Sequence, residues 1–162
     1  MAANVKLNYL IVFICITFLS AFSLHAADPK NGLSQGQLIY VPAYSHIYIG
    51  NKEAPFLLAV TLSIRNVDPN KPIEVTMVDY YATQGKLLKQ FTDTPIQVKP
   101  LETLRYVIPE RDKSGGSGAN FIVRWQSDGL VNPPIVETIM VSTSYHQGIS
   151  FTSRGQEILP SK

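Results

Sequence analysis

The least ordinary stretch of the sequence is ERDKSGGSGAN, Glu110 to Asn120, in which three glycines and two serines follow Arg111 and Lys113. Two chemistries use such a composition. A nucleophile elbow needs Gly-x-Ser-x-Gly between a strand and a helix, whereas Gly115, Gly116, Ser117, Gly118 and Ala119 lack the final glycine and a strand pattern follows them. A phosphate cradle needs its lysine and a helix N-terminus, and the stretch offers neither. What remains is a loop rich in backbone donors beside two cations, suited to receive a carboxylate or another polar group of a partner. Arg111, Lys113, Ser114, Ser117 and Asn120 are its candidate contact residues. Ordering so many glycines costs more backbone entropy than a shorter turn would, which stability alone does not explain. A structural reading competes: the loop folds back over one end of the domain, with Ser114 and Asn120 closing turns.

Other chemistry-bearing residues are sparse. His25 falls in the leader, which leaves His46 and His146, each beside a tyrosine and a serine, as Tyr44-Ser45-His46 and Ser144-Tyr145-His146. Two imidazoles do not close a zinc site without carboxylates. They become a metal pair only if the first and last strands lie side by side, and surface or capping roles are commoner. Tyr44 and Tyr145 are candidate stacking residues for a ligand or protein partner. Asp79 interrupts an otherwise apolar run, VDYY. It is either an acid or base in a pocket or, the favoured reading, a carboxylate held by an arginine or a tyrosine hydroxyl. These residues imply no cofactor and no catalytic set.

The elements that must position them begin after a leader. LNYLIVFICITFLSAFSL follows Lys6 and ends near small residues, the pattern of a secretory signal peptide, residues 1–26. An uncleaved N-terminal anchor helix is the alternative, since Leu7 to Leu24 is near the length that spans a bilayer. Either way the domain is expected outside the cytoplasm, in the periplasm or on the outer face of the cytoplasmic membrane, touching membrane only through that segment. Cys15, the single cysteine, lies inside it, so the mature domain carries no disulfide and no thiol nucleophile. Loss of Lys6 takes the net charge from +2 to +1, and the remaining basic residues are scattered, which excludes a nucleic-acid grip.

Residues 27–37, with Pro29, Gly32 and Gly36, read as a flexible linker, and 38–159 as one domain. Its centre is the run from Phe56 to Arg65, where Phe56, Leu58, Val60, Leu62 and Ile64 alternate with Thr61, Ser63 and Arg65 as one long central strand. Phe121, Val123 and Trp125 repeat the period, with Trp125 as core. Further short runs at 38–41, 46–49, 73–83, 86–91, 96–98, 104–108 and 135–142 are separated by proline and glycine turns, among them Gln84-Gly85. The pattern predicts an all-β fold, a single antiparallel β-sandwich of immunoglobulin-like type.

YVPAYSHIYIG, FLLAVTLSIRN, VDYYATQGKLL, SGGSGANFIVRW and QGISFTSRG resemble the segments of the bacterial exported proteins grouped as domain-of-unknown-function family 3124. The resemblance spans about Tyr40 to Gly155 and implies an envelope location but no activity. The function expected is a protein- or ligand-binding module, ahead of an enzyme, with an envelope protein or small ligand as partner. The alternatives are a hydrolase with an acid/base site assembled from distant strands and a weak metal-handling protein using His46 and His146.

Overall fold

A computed structural model of the protein describes residues 32–51, 53–143 and 148–159. The expected leader or anchor helix lies outside the described residues, as do Tyr145 and His146. Among the described residues every regular element is a strand: β1 Ser34–Ala43, β2 His46–Tyr48, β3 Pro55–Leu57, β4 Ala59–Arg65, β5 Ile73–Tyr81, β6 Leu87–Gln90, β7 Ile96–Val98, β8 Thr103–Ile108, β9 Ala119–Val131, β10 Ile135–Ser142, β11 Ile149–Arg154 and β12 Gln156–Glu157. All pairings among them are antiparallel. A six-stranded sheet runs β12-β1-β9-β5-β6, with β7 also on β5; a four-stranded sheet runs β11-β10-β4-β8; β2 and β3 form a separate ribbon.

Inward side chains of both larger sheets meet in one apolar cluster that includes Val41, Val60, Leu62, Ile64, Val75, Tyr80, Phe121, Val123, Trp125 and Met140. Burial of each such aliphatic side chain is worth about 1.5–3 kcal/mol, which makes this cluster the main source of stability. Trp125 is buried as expected, and its indole nitrogen donates to Gln37 Oε1 at 3.2 Å. The turn at Gln84-Gly85 is present: Gly85 has φ +77° and its N–H donates to the Ala82 carbonyl at 2.8 Å.

Two boundaries differ from the sequence pattern. Ser34 to Gln37, expected in the linker, belong to β1 and pair with β9. Gly36 makes the pairing possible, since a Cβ there would sit 2.8 Å from the Trp125 carbonyl oxygen. The central run is also two strands and not one. β3 pairs with β2, the chain breaks at Leu58, whose N–H donates to the Ser45 carbonyl, and β4 then pairs with β8 and β10. Phe56 and Val60 are buried on either side of the break and Leu58 at it, so the apolar alternation continues through a change of sheet.

Past β4 the chain turns on side chains. Asn66 Nδ2 reaches the carbonyls of Lys71, Val98 and Lys99 at 2.9, 3.1 and 3.0 Å, and Asn66 Oδ1 accepts from the Asp68 N–H. Asp68 in turn accepts from the N–H groups of Asn70, Lys71 and Asn132. The last strands cross between sheets: β11 pairs with β10, and after Gly155 β12 pairs with β1. Gly155 N–H donates to the Val136 carbonyl at 2.8 Å, and a Cβ at this position would lie 2.5 Å from Ile39 Cγ2.

Candidate functional site

The glycine-rich loop between β8 and β9 is held by two residues distant in sequence. Thr83, just past β5, donates from its N–H and its hydroxyl to the Gly115 carbonyl at 2.9 and 3.0 Å, and its Oγ1 accepts from Gly118 N–H at 2.9 Å. Ser45, between β1 and β2, donates from its N–H and Oγ to the Gly116 carbonyl at 3.0 and 3.1 Å and accepts from Gly116 N–H at 2.8 Å. Three chain segments are thereby locked at one end of the sheets. Packing demands the glycines: a Cβ on Gly115 would fall 1.9 Å from Tyr80 Oη, and Gly116 combines φ +82° with Thr83 Oγ1 2.4 Å from where its Cβ would be. The entropy spent on ordering this loop therefore has a structural return, as the competing reading expects, although Asn120 pairs within β9 and does not close a turn.

Within that frame the outer residues are presented to solvent. Asp112 accepts from the N–H and hydroxyl of Ser114 at 2.9 and 2.5 Å, so its charge is used inside the loop, while Arg111 and Lys113 on either side are exposed. Ser114 is exposed and Ser117 half-buried on the same loop. Glu110 ties the base of the loop to β10 by accepting from Ser142 Oγ at 2.8 Å. Tyr44 adjoins Ser45 but its ring packs against Phe151, centroids 5.8 Å apart, as part of the rim of the core. Asn120 stands apart from the loop, on the outer face of β9 opposite Pro42 and Tyr81. The structure thus gathers Arg111, Lys113, Ser114, Ser117 and the Tyr44-Ser45 segment, and leaves Asn120 on the sheet.

Among the described residues, two buried polar side-chain atoms have no hydrogen-bond partner: Tyr80 Oη and His46 Nδ1. Tyr80 Oη points at Gly115, and the neighbouring hydroxyl, Ser45 Oγ, is committed to Gly116. Burial, with the Asp112 charge adding to it and the adjacent Ser45 hydroxyl opposing it, pushes the Tyr80 phenol up to about 12. His46 Nε2 lies 3.4 Å from Tyr48 Oη. Among the described residues no group of three or more His, Cys, Asp or Glu side chains is placed to hold a metal ion. Asp79 lies on the outer face of β5 and accepts from Tyr81 Oη at 3.4 Å, the tyrosine-hydroxyl arrangement favoured for it. Burial, with Asp79 beside it, raises the Tyr81 phenol.

At the opposite end of β9 lies a cleft of about 390 Å³ walled by amide and carboxylate side chains, among them Gln35, Glu74, Gln97, Gln126 and Asp128. Its lining has no histidine, lysine or arginine to act with those carboxylates. Sequence reasoning missed Ser45, Thr83 and Tyr80 as the residues that shape the loop, because their relation to it is long-range and leaves no local signal.

None of the curated proteins matches the chain. The crystal structure of Thermotoga maritima 1070 resembles it at 11% identity and a TM-score of 0.42, over 74% of this chain and 92% of that one, a likeness too slight to bear on function. Residues 36–158 match the family model described as Protein of unknown function (DUF3124), and the chain belongs to that family.

Proposed function

We propose that this protein is an exported, immunoglobulin-like β-sandwich of the bacterial envelope and works as a binding module whose contact surface is the loop end built around Gly115 and Gly116. The observation that carries the reading is the cross-locking of that loop by Ser45 and Thr83, which holds Arg111 and Lys113 exposed on a rigid platform. Rigid display of charge lowers the ordering cost of binding. Two exposed cations on one loop suit a partner that presents a carboxylate, through charge-assisted hydrogen bonds. Export is supported by the apolar leader that follows Lys6.

Two measurements test this. Cell fractionation should find the chain outside the cytoplasm, and retention in the cytosol sinks the envelope reading. A photo-crosslinker at Ser114 in living cells should capture a partner that one at Leu130 does not. Arg111→Glu with Lys113→Glu should abolish capture at unchanged melting temperature. Equal capture with and without the charge reversal refutes the loop as the contact surface.

A further inference from the structure

The outer face of the six-stranded sheet is polar at one end, where Gly36, Gln126, Glu74 and Gln97 share a row, and mixed over the rest. Register lays three further rows across it. Leu38, Arg124 and Met77 form one; Gln156, Tyr40, Ile122, Asp79 and Gln90 the next; Pro42, Asn120, Tyr81 and Leu87 the third. Tyr40 and Leu87 remain 38% and 42% exposed. Two charges stand among these side chains. Asp79 is only 6% exposed, and its two hydrogen bonds, from Tyr81 Oη at 3.4 Å and Gln90 Nε2 at 3.5 Å, are at the outer limit of such contacts. Arg124 is exposed on the adjoining strand, one row away on the diagonal, and the two form no ion pair. A carboxylate so buried and so weakly held lacks a strong donor.

We propose that a second copy of this chain covers this face, sheet against sheet about a two-fold axis, with Arg124 of each copy engaging Asp79 of the other. A partner bearing one sign of charge would match one of the two groups and strand the other without solvent, at a severe desolvation penalty. A two-fold places each acid against a base and each base against an acid, so the face is complementary to itself. The axis that brings Asp79 over Arg124 of the second copy runs along the other diagonal, through Ile122 and Met77, which then meet their own counterparts. Those residues with Leu38 and Tyr40 give the apolar centre that a stable interface needs. Gln90, exposed and held by one long contact, is free to swing aside and admit the guanidinium. This face lies apart from the loop end and does not depend on the role proposed for it.

Sedimentation and cysteine crosslinking of the full chain in a Cys15→Ser background decide it. The unaltered chain should sediment as a dimer. Met77→Cys should give a disulfide-linked dimer on mild oxidation, and Val107→Cys, exposed on the outer side of the four-stranded sheet, should not. Arg124→Glu, at an exposed position, should weaken association at least about thirtyfold. Asp79→Arg should do the same, and mixing the two variants should restore a heterodimer. Should Asp79→Arg fail to fold, the Arg124→Glu and Met77→Cys results decide alone. A monomeric chain, a dimer indifferent to Arg124→Glu, or crosslinking at Val107 equal to that at Met77 overturns the proposal.

Discussion

Replacing Gly115 by alanine tests whether the loop and the core are one mechanical unit. The added methyl would stand 1.9 Å from Tyr80 Oη, 2.8 Å from Tyr80 Cζ and 2.9 Å from Ala119 Cβ. Tyr80 cannot retreat easily, because it is 1% exposed and its ring packs on Phe121 with centroids 4.8 Å apart. Overpacking of this kind costs about 1–3 kcal/mol. Moving Gly115 instead strains its two bonds from Thr83, at about 1 kcal/mol each. Against this stands a gain of about 0.4–1 kcal/mol from stiffening the unfolded chain. The net expectation is a loss of about 2–3 kcal/mol, a fall in melting temperature of roughly 10 °C for a domain of this size. Tyr80→Phe removes the atom that clashes and that has no hydrogen-bond partner, so by itself it should be neutral or stabilising by up to about 1 kcal/mol. Combined, the two should fall short of additivity by at least about 1 kcal/mol, since the nearest contact relaxes from the hydroxyl to Cζ. Urea unfolding followed by the fluorescence of buried Trp125 reads all four corners of the cycle. Additive losses, or a Gly115→Ala cost no larger than that of Gly50→Ala, which faces open space at φ +70°, would refute the reasoning.

Three further outcomes follow from the same structure. Tyr80 gives up its proton near pH 12 when folded and near 10 when unfolded, so stability should hold below pH 10 and decline between 10 and 12; Tyr80→Phe should remove part of that decline from a plot of melting temperature against pH. The N–H of Asn132 first, then that of Asn70, lower the Asp68 carboxyl from 3.8 to about 2. Its contribution is therefore present above about pH 4 and lost as pH falls toward 2, and Asp68→Asn should flatten this acid limb in thermal melts. Asn66→Asp turns an oxygen toward the three carbonyls that Asn66 Nδ2 now binds and should lower stability by about 3 kcal/mol or more in urea titrations, easing as acid protonates the new carboxyl.

Period-two burial makes most of the strands readable from the amino-acid order alone, because a buried face writes itself into alternate residues. Phe56 to Ile64 and Phe121 to Trp125 are buried where the pattern puts them. The same pattern conceals the switch at Leu58, since a chain can change sheets without changing which residues point inward. Ser34 to Gln37 read as linker because their pairing with β9 is made by backbone groups, which carry no composition signal. The loop is legible as glycine-rich but not as glycine-dependent, because Tyr80 and Thr83 lie about thirty residues upstream and only the fold brings them against Gly115 and Gly116. Asp79 is visible as an acid in an apolar run; its diagonal relation to Arg124 depends on a register that includes an irregularity between Val75 and Met77.

The crossing at Gly155 bears on when the chain can fold. β1, the first strand, takes its neighbours from β9 and β12, so its hydrogen bonds wait for residues 119–157. β1 has no partner strand until β9 is available, and contacts of such sequence separation form slowly. Completion of the larger sheet therefore waits for β12, whereas β4, β8 and β10 pair with one another without help from either β1 or β12.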